Sequence, residues 1–529
     1  MKIDKDIVAH IIIYSGFYIL LNSLSFYLNP PLRLEYYLIV SVIKFVLIGG
    51  LLWMYISRLK SSGLKEPIEK PVIFKHLIII VTILAAFHML YFFAFSPGNM
   101  YIDSYSQWGQ AMGGIKIDDW HPVFSTLLLR VSYIITDTPI LFTFMQVSGS
   151  IVLLTYISGI LLKKQIAPVY VYLFILYILT ATVLLPSMVT LYKDNFYNIA
   201  LIFMTLFIFE IIDSNGRWLK DNWINSILFF LDAVFVMLIR HNGLYVLTAS
   251  MFIFILLIPK VRWNMIVNLA ILLTIYTLFT GVLFDRYDVK EGSASEKYSV
   301  LLQHIGSVIA NEGKINSEEA EYLNTLMPLD TWREKYTEEM IDPVKFHSSY
   351  NREVINQDQV KFLKVWLKIV SENPILALKG HLQQIRPLWD INGWEHGLAG
   401  SQMFHFFINS PKEYYDPYLQ HYTFENSNLR DAIEKYSYWT NDYNIETKPF
   451  ITTLSAFSIT SLVFSSIILI RTKKYKWVLV FIPIVMNIGT LFLTMPAYNM
   501  RYVFSTIIVG HFSLFIPHIV KKTEKLNII

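Results

Sequence analysis

Apolar residues arrive along this chain in long unbroken runs, near 7–28, 36–57, 74–96, 121–136, 139–162, 166–186, 195–213, 223–240, 243–259, 263–284, 450–470, 477–495 and 499–519. Most approach the ~20 residues a helix needs to cross roughly 30 Å of hydrocarbon. The pattern predicts an all-α polytopic membrane protein with about 12–13 transmembrane helices, because helices satisfy their own backbone hydrogen bonds in lipid. One stretch breaks it. Residues 285–449 are polar and far too long for an ordinary loop. Helical patterns at Ser317 to Leu326 and Gln359 to Ser371, with Trp332, Trp366, Trp389, Trp394 and Trp439, predict a mostly helical domain resting on the membrane. The chain then divides into a transmembrane module (1–284), this polar domain (285–449) and C-terminal transmembrane helices (450–529). The first run is too long for a signal-peptide core and has no small-residue cleavage site, so a retained span is expected.

Composition agrees: 54% of the 529 residues are hydrophobic and 16% charged, with mean hydropathy +0.45, outside the usual soluble range. The absence of cysteine excludes disulfides, thiolate catalysis and Cys-based metal centres. Abundant Ile, Lys and Asn suggest an AT-rich bacterium. The net charge of +4 says less than its placement, because Lys and Arg favour cytoplasmic loops. Arg58, Lys60, Lys65, Lys70 and Lys75 place that loop inside, as Arg471, Lys473, Lys474, Lys476 and the Lys521–Lys525 tail place the C-terminal end. Both termini are then inside, while 97–122 and 285–449 face outside together. This requires 121–136 to dip in or lie along the interface, leaving about 12 net crossings and keeping Lys163, Lys164, Arg217, Lys220, Lys260 and Arg262 inside.

The outer loop 97–122 reads PGNMYIDSYSQWGQAMGGIKIDDWHP. Asp103 lies just past a span, with Tyr105 beside it. Asp118 and Asp119 follow, then Trp120-His121-Pro122 opens the next apolar segment. Pro122 suits a first helical turn and either aspartate can cap it, so this acidic point also has a local structural reading. Carboxylates at a membrane boundary are costly and need a reason. Three cations occupy the same predicted face: Lys193 in LYKDN, Arg240 leading Arg240-His241-Asn242, and Arg501 in PAYNMRY. Interfacial snorkelling is the alternative for each.

A first outer loop with an acid past a span and a second acid before His-Pro resembles the GT-C superfamily of integral membrane glycosyltransferases. The resemblance covers the layout of the whole chain, extending to bacterial relatives with a polar domain before the last spans. It implies a GT-C-like bundle and transfer of a sugar from a polyprenyl-phosphate donor, of the undecaprenyl-phosphate type, at the extracytoplasmic face of a bacterial plasma membrane. Asp103 would be the base, with Asp119 and His121 assisting. Lys193, Arg240, His241 and Arg501 would bind phosphate, with Tyr105 and Trp120 lining the substrate. A divalent cation (Mg or Mn) would fall to Asp103, Asp118 or Asp119. The acceptor would be a cell-envelope glycan, teichoic acid, lipid or protein.

Gln303 and His304 are weaker candidates from the polar domain, and His381, His396 and His405 lack compact metal spacing. No phosphate-binding glycine loop or dinucleotide fingerprint occurs, and no nucleic-acid partner is expected. Two alternatives stay open: a lipid-linked glycan polymerase or ligase using Arg240-His241, and a flippase or transporter of such glycans. No internal repeat of the transporter kind stands out.

Overall fold

The computed structural model describes residues 5–28, most of 68–390, 428–435 and 454–526, and parts of 35–50. Trp394, His396, His405 and Trp439 lie outside the described residues, as do most of the 36–57 run and the exit of the polar domain. The described residues are helical, with no strand longer than an isolated bridge.

The helices of the bundle lie between two ends, and most run from one to the other. They are α1 Lys5–Leu28, α2 Lys70–Ala94, the short α3 Ile102–Ala111, α4 Val123–Thr136, α5 Ile140–Lys163, α6 Pro168–Ala181, α7 Lys193–Asp213, α8 Trp223–Leu238 and α9 Gly243–Leu257. The tenth, α10, starts at Arg262 and continues through a π turn at Leu278–Leu283 to Arg286. After the polar region come α15 Leu454–Arg471, α16 Ile482–Thr494, α17 Phe504–Ser513 and α18 Ile516–Leu526. Among the described residues, six helices or helix pairs are long and apolar enough to cross a membrane.

The central pillar is α7, buried on nearly every face, whereas the Pro259–Arg286 helix stands at the rim and is almost bare. Gly243 explains how α8 and α9 turn so tightly: a Cβ there would overlap the Val236 carbonyl oxygen.

Helix α4 does not run between the ends. Its Ser132 hydroxyl donates to Thr138 O and accepts from Phe142 N at the start of α5. Thr143, one residue on, donates to Pro97 O. Both ends of α4 therefore lie near the loop that follows α2. Far from this point, Lys164 pairs with Asp213, so α5 and α7 finish together at the opposite end.

In the polar region, α11 Ser299–Ala310, α12 Ser317–Leu326, α13 Gln359–Glu372 and α14 Pro374–Gln384 form a second core around Leu302, Ile305, Leu323, Trp332 and Phe362. Asn316 caps α12 in a reciprocal capping box with Glu319. Ties between this core and the bundle include Gln384 Nε2 donating to Pro496 O, Tyr498 N donating to Glu339 O, and the His381 ring meeting Phe492 at 5.1 Å. The tryptophans serve packing here: Trp332 is fully buried, Trp366 donates to His304 and Trp389 donates to Leu382 O.

A buried charge cluster at the candidate site

The loop after α2 is pinned by backbone pairing. Asn99 N donates to Val189 O and Leu191 N donates to Asn99 O, and Ser104 Oγ donates to Leu191 O. These bonds set the start of α3 beside the start of α7. Asn195 fixes the other side, its amide donating to Gln146 Oε1, Ser187 O and Thr190 O. Asn198, one turn on, reaches across to the C-terminal helices: its amide donates to Arg501 O, and Ser505 N donates to its Oδ1. The Met500–Tyr502 turn is thereby locked to α7, with Asn499 capping Arg501 N.

Five charges meet at this junction. Arg501 Nη1 lies 2.9 Å from Asp103 Oδ2, and Arg501 Nε lies 3.6 Å from Asp194 Oδ2. Arg240 Nε lies 3.1 Å from Asp194 Oδ1. Lys193 Nζ lies 3.0 Å from His121 Nδ1. Asp194 is 1% exposed and Asp103 27%. Aromatic faces wall the guanidinium groups: Arg240 stands 4.7 Å from the Tyr502 ring centroid and Arg501 4.8 Å from that of Tyr192.

Burial pushes the Asp103 carboxyl up, but Arg501, aided by Lys193, outweighs it and holds the group below the usual carboxylate range. His121 is pushed down to about 3, by burial first and by the neighbouring Lys193 second, so its ring is neutral at pH 7. With the Lys193 ammonium donating to Nδ1, the ring hydrogen sits on Nε2. His241 is likewise lowered to about 4 by burial and Lys193.

The ion pairs are close yet poorly aligned. Arg501 Nε and Nη1 and Arg240 Nη1 are buried with no aligned hydrogen-bond acceptor among the described residues, and Asp194 Oδ1 has no aligned donor. Buried donors left in that state are costly. Lys193, Arg240 and Arg501 also outnumber Asp103 and Asp194 by one charge. The cluster therefore carries one net positive formal charge, with guanidinium nitrogens that have no aligned acceptor among the described residues.

The structure thus brings Asp103, His121, Lys193, Arg240 and Arg501 into one cluster. Asp118 and Asp119 sit on a different partner: Lys290 N donates to Ile117 O and Asp119 N donates to Lys290 O. Asp118 Oδ1 accepts from Trp120 N in a local turn, and neither aspartate caps α4, whose N-cap is Pro122 without a side-chain cap bond. Asp119 instead lies near Tyr276, and the backbone of Asp119 and Trp120 bonds His241. Tyr105 is buried in the bundle core, and the Trp120 ring stacks obliquely 6.2 Å from Phe346 of the polar domain. Gln303 and His304 do not reach the cluster. Gln303 donates to Tyr336 and to the Thr337 and Glu338 carbonyls, and His304 pairs with His381. Among the described residues no three His, Asp or Glu side chains converge as a metal-ligand set.

Sequence reading passed over Asp194, which links both arginines, and Asn198, which positions one of them. The signal for Asp194 was present as an acid in the first turn of a long apolar helix, beside the Lys193 that drew notice.

Every clustered residue falls within one family match spanning residues 74–526. The chain belongs to DUF6020, a family of unknown function. No curated protein and no solved structure matches it. The DUF6020 match begins within α2, so α1 and the 36–57 run precede it, while the charge cluster and the polar domain lie inside it.

Proposed function

We propose that this DUF6020 protein is a multi-pass membrane glycosyltransferase of the GT-C type, taking its sugar from a polyprenyl-phosphate donor at the extracytoplasmic face of a bacterial plasma membrane. The observation that supports this reading is the set of buried, unsatisfied guanidinium nitrogens on Arg240 and Arg501 beside the carboxylate of Asp103. An Arg fork suits phosphate oxygens, which accept two parallel hydrogen bonds.

In the proposed reaction the acceptor hydroxyl gives its proton to Asp103 as its oxygen attacks the anomeric carbon. The bond from that carbon to the phosphate oxygen breaks, and its electron pair stays on the phosphate. Arg501, Arg240 and Lys193 hold the charge that grows there. Asp103 bound to Arg501 is a poor base. A phosphate that takes over the Arg501 guanidinium releases Asp103 to accept a proton, so donor binding would arm the base. The acceptor is a cell-envelope glycan, teichoic acid, lipid or protein.

The test is transfer of labelled sugar from synthetic polyprenyl phosphates by the purified protein, comparing wild type with Asp103→Asn and Arg501→Lys. Loss in both, with unchanged folding, supports the reading; wild-type transfer by Asp103→Asn overturns it. A polymerase or ligase would lose activity in Arg240→Ala and retain it in Asp103→Asn.

A further inference from the structure

We propose that the bare side of α13 and α14 is a lipid-contact surface that lays the polar domain on anionic headgroups, given that the bundle spans a membrane. Helix α13 carries apolar residues on two sides. Phe362 and Ile369 are buried in the domain core, with Val365 and Trp366 packed against it. Turned away from that core, Val360, Leu363 and Leu367 recur at helical spacing and are exposed, Leu367 to 59%. On α14, Ile375 (70%) and Leu378 join them. Single exposed apolar residues are ordinary, but a contiguous set marks an interaction surface.

Two features say what covers it. First, the strip continues the rim of the bundle. Ile375, Leu378 and Leu382 line one side of α14, and Leu382 already packs against the bundle core. The neighbouring His381 ring touches Phe492 at the end of α16, where Phe492 and Leu493 are also exposed. That helix belongs to the Tyr475–Thr494 segment, long and apolar enough to cross a membrane. Second, Lys361, Lys364 and Lys368 are exposed along one flank of the strip. Lys361 stands over the Tyr322 ring, and Lys368 pairs with Glu319. An apolar strip flanked by lysines suits the boundary between acyl chains and anionic phosphates, where long cationic side chains reach up to the headgroups. A two-fold contact with a second copy would bring two such lysine rows into one interface.

The chain has no cysteine, so single-site labelling needs no background removal. Leu363→Cys, Leu367→Cys and Leu378→Cys would each carry an NBD fluorophore in nanodiscs of phosphatidylglycerol and phosphatidylcholine. Val267→Cys, on the exposed side of α10, reports on spanning, and Glu334→Cys gives an exposed control within the polar domain. The expected result is blue-shifted emission at 363, 367 and 378, quenched by shallow doxyl lipids and shielded from aqueous iodide, with the opposite at 334. Iodide quenching at all three while Val267 is lipid-quenched overturns the surface and leaves the spanning reading intact. Loss of lipid quenching at Val267 as well overturns both. Shielding that depends on two proteins per disc, without lipid quenching, assigns the strip to a second copy and also overturns it. Lipid contact unchanged in pure phosphatidylcholine overturns the anionic preference.

Discussion

The two ends of the bundle each hold buried or half-buried charge, and they solve the problem differently. At one end Lys164 pairs with Asp213 while Lys163 and Glu210 lie close by, two cations to two carboxylates, with the ion pair partly open to solvent. At the other, three cations share two carboxylates, and guanidinium nitrogens remain without aligned acceptors. The first arrangement is complete in itself. The second is held in place by Asn198, Asn499 and Asn195, a costly set of fixed bonds around an unbalanced charge. Charge balance, rather than the number of ion pairs, separates the structural end from the candidate functional one.

The sharpest way to break this contrast is Asp103→Asn. Under the proposed reaction, removing the base should cut sugar transfer by about 10²- to 10⁴-fold, whereas Asp213→Asn should leave the rate near wild type in the same assay. Next is Asp194→Ala, which strands the buried Arg240 and leaves Arg501 with Asp103 alone. A loss of about 3–5 kcal/mol is expected from unpairing a buried ion cluster, against a smaller one for Asp213→Ala, whose partner Lys164 has solvent and Glu210 within reach; melting temperatures in matched detergent would read both. Equal shifts would erase the distinction between the ends.

Acid should act through the cluster. His121 titrates at about 3 in the folded protein against 6.5 unfolded. Between those values the unfolded chain binds the extra proton, so this stability is present above pH 6.5 and drains as pH falls towards 3. At pH 5 the loss is about 2 kcal/mol, and His121→Gln should flatten the pH dependence of melting. The smallest effect belongs to Asp118→Asn. Asparagine keeps the side-chain oxygen that accepts from Trp120 N, so both melting and transfer should stay near wild type.

Much of this was legible in the chain itself. Apolar runs at 223–240 and 243–259 became Trp223–Leu238 and Gly243–Leu257, and the expected helix at Ser317 to Leu326 formed with those bounds. Periodicity reports burial along one helix, and those segments are governed by it. It is silent on breaks imposed by tertiary packing: the run at 477–495 is interrupted by a 3₁₀ turn at Leu479–Phe481, the run at 499–519 opens on another holding Arg501, and α10 contains its π turn. For the cluster, residue type and position were enough to single out Asp103, Lys193, Arg240 and Arg501. Their pairing was not readable. Asp194 ignores its neighbour Lys193 in the ion-pair geometry and takes two arginines from distant helices, a choice made only when α7 is surrounded.

The isolated backbone bridges at this end have a mechanical consequence. Asp118 is tied to Lys290 where the chain enters the polar domain, and Met340 within that domain is tied to Ala497 just before the turn that carries Arg501. The loop that carries Asp103 and the segment that leads into the Arg501 turn are therefore each tied to the polar domain, at Asp118 and at Ala497. The two stretches of chain that supply the acid and the guanidinium thus share a fixed point outside the bundle, set by main-chain bonds that side-chain substitution leaves in place.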